Sequence, residues 1–584
     1  CAADIHKPYL LLERTHTDTG TLPNFRQGDA IVLYERNISE DNVTNKMVFK
    51  GNIETISDSD IRVRLRAAQQ NVEVLPMNSR YAIEHDYMDT SFRCMYWGLS
   101  AFLSATKDRR DLLLNRREPE FDSAFNGAIA AADNDFVRIT LKAEAAKDYF
   151  LLIGPPGTGK TSRALRSMVE TFYREGKEIL LLSYTNRAVD EICKMLTAIT
   201  PEVDFIRIGS ELSCDEVYRP HLIENMLESC STRREVQERM ARCRIFVGTV
   251  ATLSAKTELF RLKTFDVALI DEATQILEPQ LLGLLCIRSV AGGNAIGKFV
   301  LIGDHKQLPA VVLQSSEQSE VQDESLRAIG LCNLKDSLFE RLYRNAIKQP
   351  LACGEEASTF NSQLSAFNSF DILCRQGRMN VEVAAFPNHA FYGGLLQPVG
   401  LEHQTGTIEL SPELSTNEFA ALLTRRVAFI PSTPEQPMQS AKINHSEAKI
   451  VARLAAAVYR QYIFATGCFN AAYTLGIITP YRSQIALIKK EIADLGIKEL
   501  NDVLIDTVER FQGSERDVII YSFCVNRVSQ LKLLANLTEE NGVQIDRKLN
   551  VALTRARKQM FITGVPQLLK QNSIYSRLLQ SCES

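Results

Sequence analysis

The sequence has 584 residues, of which 45% are hydrophobic and 24% charged, as in an ordinary globular protein of about three or four domains. A net charge of −4 excludes a general polyanion binder, so a nucleic-acid site would be a local basic strip. No apolar run reaches the length of a membrane span and no signal peptide is recognisable, which predicts a cytoplasmic protein without membrane partners. The 13 cysteines form no CxxC pair and indicate neither zinc nor an iron–sulfur cluster.

The N-terminal part predicts a β-barrel accessory domain over residues 1–105, followed by a helical stalk over 106–148. Within the segment 61–66, apolar residues alternate strictly with Arg62, Arg64 and Arg66. A period of two places these arginines on one strand face. They form either a solvated barrel face or a basic wall that guides nucleic acid.

Two alternations of strand and helix follow, over 149–345 and 371–584, separated by a linker or insertion at 346–370. Continuous apolar runs favour parallel strands that are covered on both faces. The expected strands are 150–153, 179–182, 245–247, 267–270 and 299–302 in the first alternation, and 475–478, 503–505, 518–521 and 560–562 in the second. The expected fold class is therefore α/β, with two parallel sheets in tandem behind the small β domain.

A glycine-rich loop follows the apolar run that ends at Ile153. Its residues are Gly154, Pro155, Pro156, Gly157, Thr158, Gly159, Lys160 and Thr161. Glycines let backbone N–H groups turn toward phosphate oxygens, Lys160 can reach the β and γ phosphates, and Thr161 offers a hydroxyl to magnesium. A structural glycine turn is the alternative, but a strand before the loop and a helix after it favour a nucleoside triphosphate site.

A phosphate loop needs an acidic residue that holds magnesium at the end of a neighbouring strand, and the sequence offers two candidates. The apolar run 267–270 leads directly into Asp271 and Glu272. Asp271 is expected to hold Mg²⁺, and Glu272 to orient and deprotonate the attacking water. A helix cap is the alternative role for such a pair.

Gln307 follows another apolar strand, within Gly303-Asp304-His305-Lys306-Gln307-Leu308-Pro309. Its amide could hydrogen-bond the γ phosphate or the attacking water. An ordinary surface turn explains the same residues equally well.

The chain contains an ordered series of motifs: GPPGTGKT at 154, YTNRAVDEI at 184, GTVATL at 248, DEATQI at 271, GDHKQLP at 303, RQGRM at 375, ITPYRSQ at 478, DTVERFQGSERD at 506 and LNVALTRAR at 549. In this series the chain resembles superfamily 1 helicases over roughly residues 150–565. More narrowly, it resembles the 5′–3′ (B) class, in the group that contains the eukaryotic replication helicase-nuclease and the nonsense-mediated-decay RNA helicase.

The resemblance implies two RecA-like domains that clamp one ATP between them. Arg378 and Arg555 match arginines that reach the γ phosphate from the second domain. Glu515 matches a position close to the nucleotide, whereas Arg557 could equally face solvent or phosphate. The implied catalytic set is Lys160, Asp271, Glu272, Gln307, Arg378 and Arg555.

The resemblance also implies that single-stranded nucleic acid crosses the top of both domains. The matching positions are Thr185, Asn186, Arg187, Thr249, Tyr481, Arg482 and Thr507. Hydroxyls and amides that grip phosphate and sugar would give sequence-independent binding. Each of these threonines could instead cap a helix.

Two departures from the family pattern bear on the choice of nucleotide base, and a third concerns a nuclease domain. Residues 71–150 contain no glutamine that could read adenine, and Gly377 stands where relatives tend to have a tyrosine that can stack on the base. Base selectivity is therefore expected to be weak. No acidic pattern typical of a nuclease is present, so a nuclease domain or partner would lie before Cys1.

These observations predict an ATP- and Mg²⁺-dependent 5′–3′ translocase and DNA helicase of replication or repair, acting as a monomer on single-stranded DNA. An RNA or RNA–DNA hybrid helicase is the alternative among enzymes. A nucleotide-gated clamp that binds nucleic acid without translocating is the alternative from another class.

Overall fold

The structure is a computed structural model that describes residues 9–15, 25, 27–57, 59–66, 75–76, 79–86, 90–312, 314–348, 369–435, 440–540 and 542–583. Backbone contacts divide the chain into two units. The first comprises Cys1–Arg93 with Ser210–Ser213, and the second Cys94–Gly209 with Cys214–Ser584. Most of the predicted linker, residues 349–368, lies outside the described residues.

The first unit is built on a five-stranded antiparallel sheet. The strands are β1 Tyr9–Glu13, β2 Ala30–Glu35, β3 Val48–Ile56, β4 Asp60–Leu65 and β5 Tyr81–His85. Their order is β1-β4-β3-β2-β5, so β1 and β5 form the edges. Alternate residues such as Ile31, Leu33 and Val63 are fully buried and form the core of the unit. This sheet corresponds to the predicted N-terminal β domain.

Two carboxylates pair with the three arginines in and directly after β4. Arg62 Nε lies 2.9 Å from Glu54 Oε2, and Arg64 forms an ion pair with the same carboxylate. Arg66 Nη1 lies 3.1 Å from Asp86 Oδ2. Three arginines thus share two carboxylates, so the ion pairs reduce the positive charge of this face without cancelling it.

Helices fill the interval before the first parallel sheet. They are Thr90–Ser104, Lys107–Leu113, Asn126–Ala131 and Asp135–Ala145. Leu112, Leu113, Ile139 and Ala143 are buried in the two cores that flank the first parallel sheet. The residues that we expected to form a stalk are therefore packed against this sheet by their apolar faces.

The first parallel sheet has seven strands. They are β6 Tyr149–Ile153, β7 Ile179–Ser183, β8 Phe205–Ile208, β9 Ile245–Thr249, β10 Phe265–Ile270, β11 Ile296–Gly303 and β12 Phe370–Ile372. Their order in the sheet is β12-β6-β11-β10-β7-β9-β8. The helices of this part are Lys160–Leu165, Arg166–Arg174, Asn186–Thr197, Ile223–Met226, Arg233–Arg242, Val250–Ala255, Leu259–Leu262, Glu278–Leu285, Glu324–Ala328 and Leu338–Lys348.

The second parallel sheet has five strands. In the same part of the chain, β13 Arg375–Gln376 pairs with β14 Gln397–Pro398, and β19 Leu537–Glu540 with β20 Val543–Asp546. The strands of the sheet are β15 Val427–Pro431, β16 Leu475–Ile478, β17 Leu504–Asp506, β18 Arg516–Ser522 and β21 Ala556–Gly564, in the order β15-β21-β18-β16-β17. The helices are Val381–Tyr392, Glu402–Thr405, Ala420–Leu423, His445–Thr466, Arg482–Ala493, Val508–Phe511, Ser529–Leu534, Arg547–Leu553, Pro566–Leu569 and Ser573–Glu583. The predicted fold class is confirmed.

Strand β12 belongs to the first sheet, although the sequence placed residue 371 in the second domain. It pairs in parallel with β6, and its central residue, Asp371, is only 1% exposed. Lys142 Nζ lies 3.1 Å and Arg138 Nε 3.0 Å from Asp371 Oδ2. A charged residue in a three-residue strand gave no periodicity signal, and these ion pairs stabilise it in the core. Strands β8 and β15 were also missing from the expected set.

The described helices include none that is both long and apolar enough to span a lipid bilayer.

Gly98 permits close packing of helix Thr90–Ser104 on helix Glu278–Leu285, since a Cβ atom there would overlap the carbonyl oxygen of Pro279. We expect Gly98→Ala to lower the free energy of unfolding by about 1–3 kcal/mol through overpacking. Thermal and urea unfolding monitored by circular dichroism would measure it.

Gly127 is the matched control, because it lies in the exposed helix Asn126–Ala131 and a Cβ added there would have no other atom within 4 Å. Gly127→Ala should be neutral or stabilising by up to about 1 kcal/mol. Equal destabilisation by both variants would contradict the packing argument.

Candidate active site

The phosphate loop connects β6 to the helical residues Lys160–Leu165. Gly157 and Gly159 have φ values of +75° and +82°, in the left-handed region that favours glycine. The methylene groups of Lys160 occupy the space where a Cβ of Gly154 would lie. Thr158 donates its hydroxyl to the Pro155 carbonyl at 2.7 Å, which closes the turn. The local sequence thus folds into a loop that orients Lys160 and Thr161.

Thr161 and Asp271, the two predicted magnesium ligands, are in direct contact. Thr161 Oγ1 donates to Asp271 Oδ2 at 2.6 Å. Burial and the adjacent Glu272 raise the pKa of Asp271, and Lys160 opposes this shift. One hydroxyl and one carboxylate fit Mg²⁺, which takes its other oxygens from phosphate and water. Within the described ranges, no three His, Cys, Asp or Glu side chains form a metal cluster.

Glu272 has a strained backbone, with φ at +53°. This conformation costs energy for a residue other than glycine and is typical of functional sites. Gln275 Nε2 donates to Glu272 Oε2 at 3.0 Å, Gln512 Nε2 lies 3.5 Å from the same oxygen, and Lys160 Nζ lies 3.9 Å from Glu272 Oε1. The carboxylate is therefore held in place beside the phosphate loop.

The sequence reasoning assigned no role to Gln275 or Gln512. Both residues lie within quoted motifs, DEATQI and FQGSERD. Only the fold shows that one comes from each side of the cleft and that both point at Glu272.

Gln307 lies between the two domains that contain the parallel sheets, and it is 4% exposed. Its Nε2 donates to Asp304 Oδ2 at 2.8 Å, and its Oε1 accepts from Arg555 Nη2 at 3.3 Å. An ordinary surface turn is excluded by this burial. The position agrees with the predicted sensor role, which stays a prediction.

Arg555 belongs to the second domain, directly before β21, and is 2% exposed. Its Nε donates to the Val551 carbonyl at 3.0 Å. Burial lowers the pKa of Arg555, and the positive charge of Arg378 lowers it further. Glu272 and Glu515 oppose this shift, and a bound polyanion would further stabilise the positive charge of Arg555.

Arg378 lies directly against the phosphate loop. The Gly377 N–H donates to the Gly157 carbonyl at 2.9 Å, and a Cβ on Gly157 would lie 2.5 Å from the Cβ of Arg378. Arg378 Nε donates to Glu515 Oε2 at 2.6 Å. Burial would raise the pKa of Glu515, but Arg378 and the more distant Arg557 together hold it below the ordinary value.

Arg557 faces a different carboxylate. Its Nη1 lies 3.2 Å from Asp517 Oδ1, whereas its Nε is 3.7 Å from Glu515 Oε1. The structure therefore brings Arg378 and Arg555, rather than Arg557, to the nucleotide cleft.

The predicted nucleic-acid residues lie along the carboxyl ends of neighbouring strands. Ser183 of β7 pairs with Thr249 of β9, and Ile478 of β16 with Asp506 of β17. This register brings the seven positions to the carboxyl ends of the strands in the two parallel sheets, called here the strand-end edges. The first edge holds Thr185, Asn186, Arg187 and Thr249, and the second holds Tyr481, Arg482 and Thr507. Arg187 Nη1 donates to the Arg510 carbonyl at 3.2 Å and connects the two edges.

Two of these threonines cap helices. Thr185 accepts from the Ala188 N–H at 3.2 Å, and Thr249 from the Thr252 N–H at 3.1 Å. Tyr481 OH accepts from Gln530 Nε2 at 3.1 Å. Capping uses one lone pair of the Thr185 hydroxyl and leaves its proton able to donate to a phosphate. The Thr249 hydroxyl is 4% exposed and shares a further hydrogen bond with Thr252 Oγ1 at 2.8 Å.

Comparisons with known proteins match both parallel-sheet parts of the chain. Two family models, both described as "AAA domain", match residues 131–243 together with 228–315, and residues 334–567. The "DNA replication ATP-dependent helicase/nuclease JHS1" of Arabidopsis thaliana is 29% identical over 95% of this chain and 38% of its own length. The "DNA replication ATP-dependent helicase/nuclease DNA2" of Bos taurus is 27% identical over 94% of the chain and 49% of its own length.

A third relative is the "DNA polymerase alpha-associated DNA helicase A" of Saccharomyces cerevisiae, 24% identical over 96% of the chain and 83% of its own length. The chain thus spans less than half the length of the two helicase/nuclease relatives. It contains the two ATP-dependent helicase domains of superfamily 1 and is distantly related to replication helicase/nucleases.

We expect Glu272→Gln to reduce the rate of ATP hydrolysis about 10²-fold or more, because the amide cannot accept a proton from water. Binding of a fluorescent ATP analogue should persist, since Lys160 and the loop are intact. Steady-state hydrolysis and fluorescence titration would measure the two properties separately.

Glu170→Gln is the control, because Glu170 lies on the following helix, where its carboxylate pairs with Arg166 at 2.7 Å. It should keep both properties, whereas Lys160→Ala should lose nucleotide binding. Normal hydrolysis by Glu272→Gln would remove Glu272 from the catalytic set.

Proposed function

We propose that this chain is an ATP-driven motor that translocates 5′ to 3′ on single-stranded DNA and separates duplex DNA during replication or repair. The two helicase domains of superfamily 1 support ATP-driven helicase activity. We infer the substrate, the direction and the biological setting from the observations below.

One observation carries the proposal: side chains and backbone from both parallel domains meet at a single cleft. Gly377 N–H reaches the Gly157 carbonyl at 2.9 Å, and Arg555 Nη2 reaches Gln307 Oε1 at 3.3 Å. A nucleotide bound at the phosphate loop would lie against these same groups. Its hydrolysis would therefore change the contacts between the domains, which is the requirement for a motor.

Magnesium is the proposed metal, held by Thr161 and Asp271. When bound, it would neutralise charge on the β and γ phosphates. The residues of the chain then have separate tasks. Lys160 and the loop bind the phosphates, Glu272 accepts the proton of the attacking water, and Arg378 and Arg555 stabilise negative charge from the other side.

The strand-end edges support binding of a single strand across both domains. Arg187 on one edge contacts Arg510 on the other, so a strand that lies along them would touch both domains. Relative movement of the two edges during an ATP cycle would displace the strand. The 5′–3′ direction rests on the resemblance to the class with that polarity.

DNA is preferred over RNA because three relatives bear names of DNA helicases. Contacts to phosphate alone do not distinguish the sugars, so an RNA or hybrid helicase is the second candidate. A clamp that does not translocate is disfavoured, because a switch would not need the proposed hydrolytic residues Lys160, Glu272, Gln307, Arg378 and Arg555.

We expect unwinding of a DNA duplex with a 5′ single-stranded tail, and none of a duplex with a 3′ tail. Matched RNA duplexes should be unwound at least about tenfold more slowly. Gel-based strand separation with ATP and Mg²⁺, on four substrates of equal length and sequence, would measure this. Unwinding from the 3′ tail would overturn the polarity, and faster RNA unwinding would overturn the substrate.

We further expect ATP and GTP to be hydrolysed with values of kcat/KM within about tenfold, because large discrimination requires polar groups that read the base. Gly377 carries no ring, and its Cβ position lies 3.3 Å from Val399 Cγ2. Steady-state kinetics with ATP, GTP, CTP and UTP would test this. A strict preference for ATP would show that another residue reads adenine.

A further inference from the structure

Asp304, in the motif that contains Gln307, is held by a residue of the second domain. It is 1% exposed, and its Oδ2 accepts both from Gln307 Nε2 at 2.8 Å and from Tyr392 OH at 2.7 Å. Tyr392 lies at the end of helix Val381–Tyr392 in the second domain. The carboxylate thus joins Gln307 of one domain to a phenol of the other.

A second residue of that domain completes the arrangement. Asn550 Nδ2 donates to Tyr392 OH at 2.8 Å and to the Lys306 carbonyl at 2.7 Å, and Asn550 is fully buried. Because the phenol oxygen accepts from Asn550, its single proton is directed to Asp304. Burial and the nearby Asp304 carboxylate raise the pKa of Tyr392 well above its ordinary value, so the phenol stays a donor.

These bonds determine the orientation of the Gln307 amide. A carboxylate offers only hydrogen-bond acceptors, so Asp304 binds the NH₂ group of Gln307. The Oε1 atom of Gln307 is then directed at Arg555. Rotation of the amide by half a turn would place oxygen against oxygen. The Gln307 face that meets Arg555 is therefore set through Asp304.

We propose that Tyr392 and Asn550 are positioning residues for ATP hydrolysis, which act through Asp304 to hold Gln307 in the orientation that meets Arg555. The proposal rests on the proposed function and deepens it. The second domain would then act on the hydrolysis site through a neutral phenol as well as through its arginines. Both residues contact the segment around Gln307, at Asp304 and Lys306, rather than the phosphate loop.

The test is a double-mutant cycle of Tyr392→Phe and Gln307→Ala. Tyr392→Phe should reduce kcat for ATP hydrolysis about tenfold, the factor expected for a lost hydrogen bond to a carboxylate. KM for ATP should change less than about twofold. In the Gln307→Ala background, Tyr392→Phe should have no further effect on kcat, because residues that act through one another are not additive.

Tyr575→Phe is the matched control. Tyr575 OH donates to Asp546 Oδ2 at 2.9 Å, and the pair is buried within the second domain alone. It should cost similar thermal stability but leave kcat unchanged. An unchanged kcat in Tyr392→Phe, an equal loss in Tyr575→Phe, or additive losses in the cycle would each overturn the proposal.

The proposed helicase function fails independently of this result. If the wild-type protein hydrolyses ATP without separating strands, the proposed helicase function is wrong. The double-mutant cycle is read from ATP hydrolysis alone and would still decide the role of Tyr392.

Discussion

A glycine-to-glycine backbone contact is the constraint on which the catalytic cleft depends. The Gly377 N–H reaches the Gly157 carbonyl at 2.9 Å, and a side chain on Gly157 would collide with Arg378. This backbone contact brings the second domain directly against the phosphate loop of the first. Glycine allows this approach, and its left-handed conformation at 157 directs the loop inward. Lys160, Glu272, Arg378 and Arg555 can then surround the same volume.

Burial strengthens the charged interactions of Asp271 and Arg555 in this cleft. Asp271 is 3% and Arg555 2% exposed, so water screens their charges weakly. The raised pKa of Asp271 and the lowered pKa of Arg555 have the same physical cause, which is burial of a charge. Cations and triphosphate would each relieve part of this cost. The cleft is therefore poised for a polyanionic ligand with a metal ion.

The phosphate loop, the acidic pair and the Gln307 motif were predictable from local order, because each one follows a short apolar run. The runs before Gly154, Asp271 and Gly303 are strands β6, β10 and β11, which are adjacent in one parallel sheet. Parallel strands bring their carboxyl ends to one edge, so consecutive motifs become neighbours in space. Strand β12 was not predicted in this way. Its Asp371 is typical of a loop, and it is buried in the strand because the distant Lys142 forms an ion pair with it.

Residue types and spacing along the chain were sufficient for the two α/β domains, the phosphate loop and the acidic pair, because these are encoded within a few consecutive residues. Tertiary structure alone decided which distant residues contact Glu272 and the segment around Gln307. Gln512, Tyr392 and Asn550 are separated from their partners by 240, 88 and 244 positions respectively. Hydrogen bonds across such separations leave no periodicity in the sequence, since they depend on how two sheets are packed together rather than on local conformation.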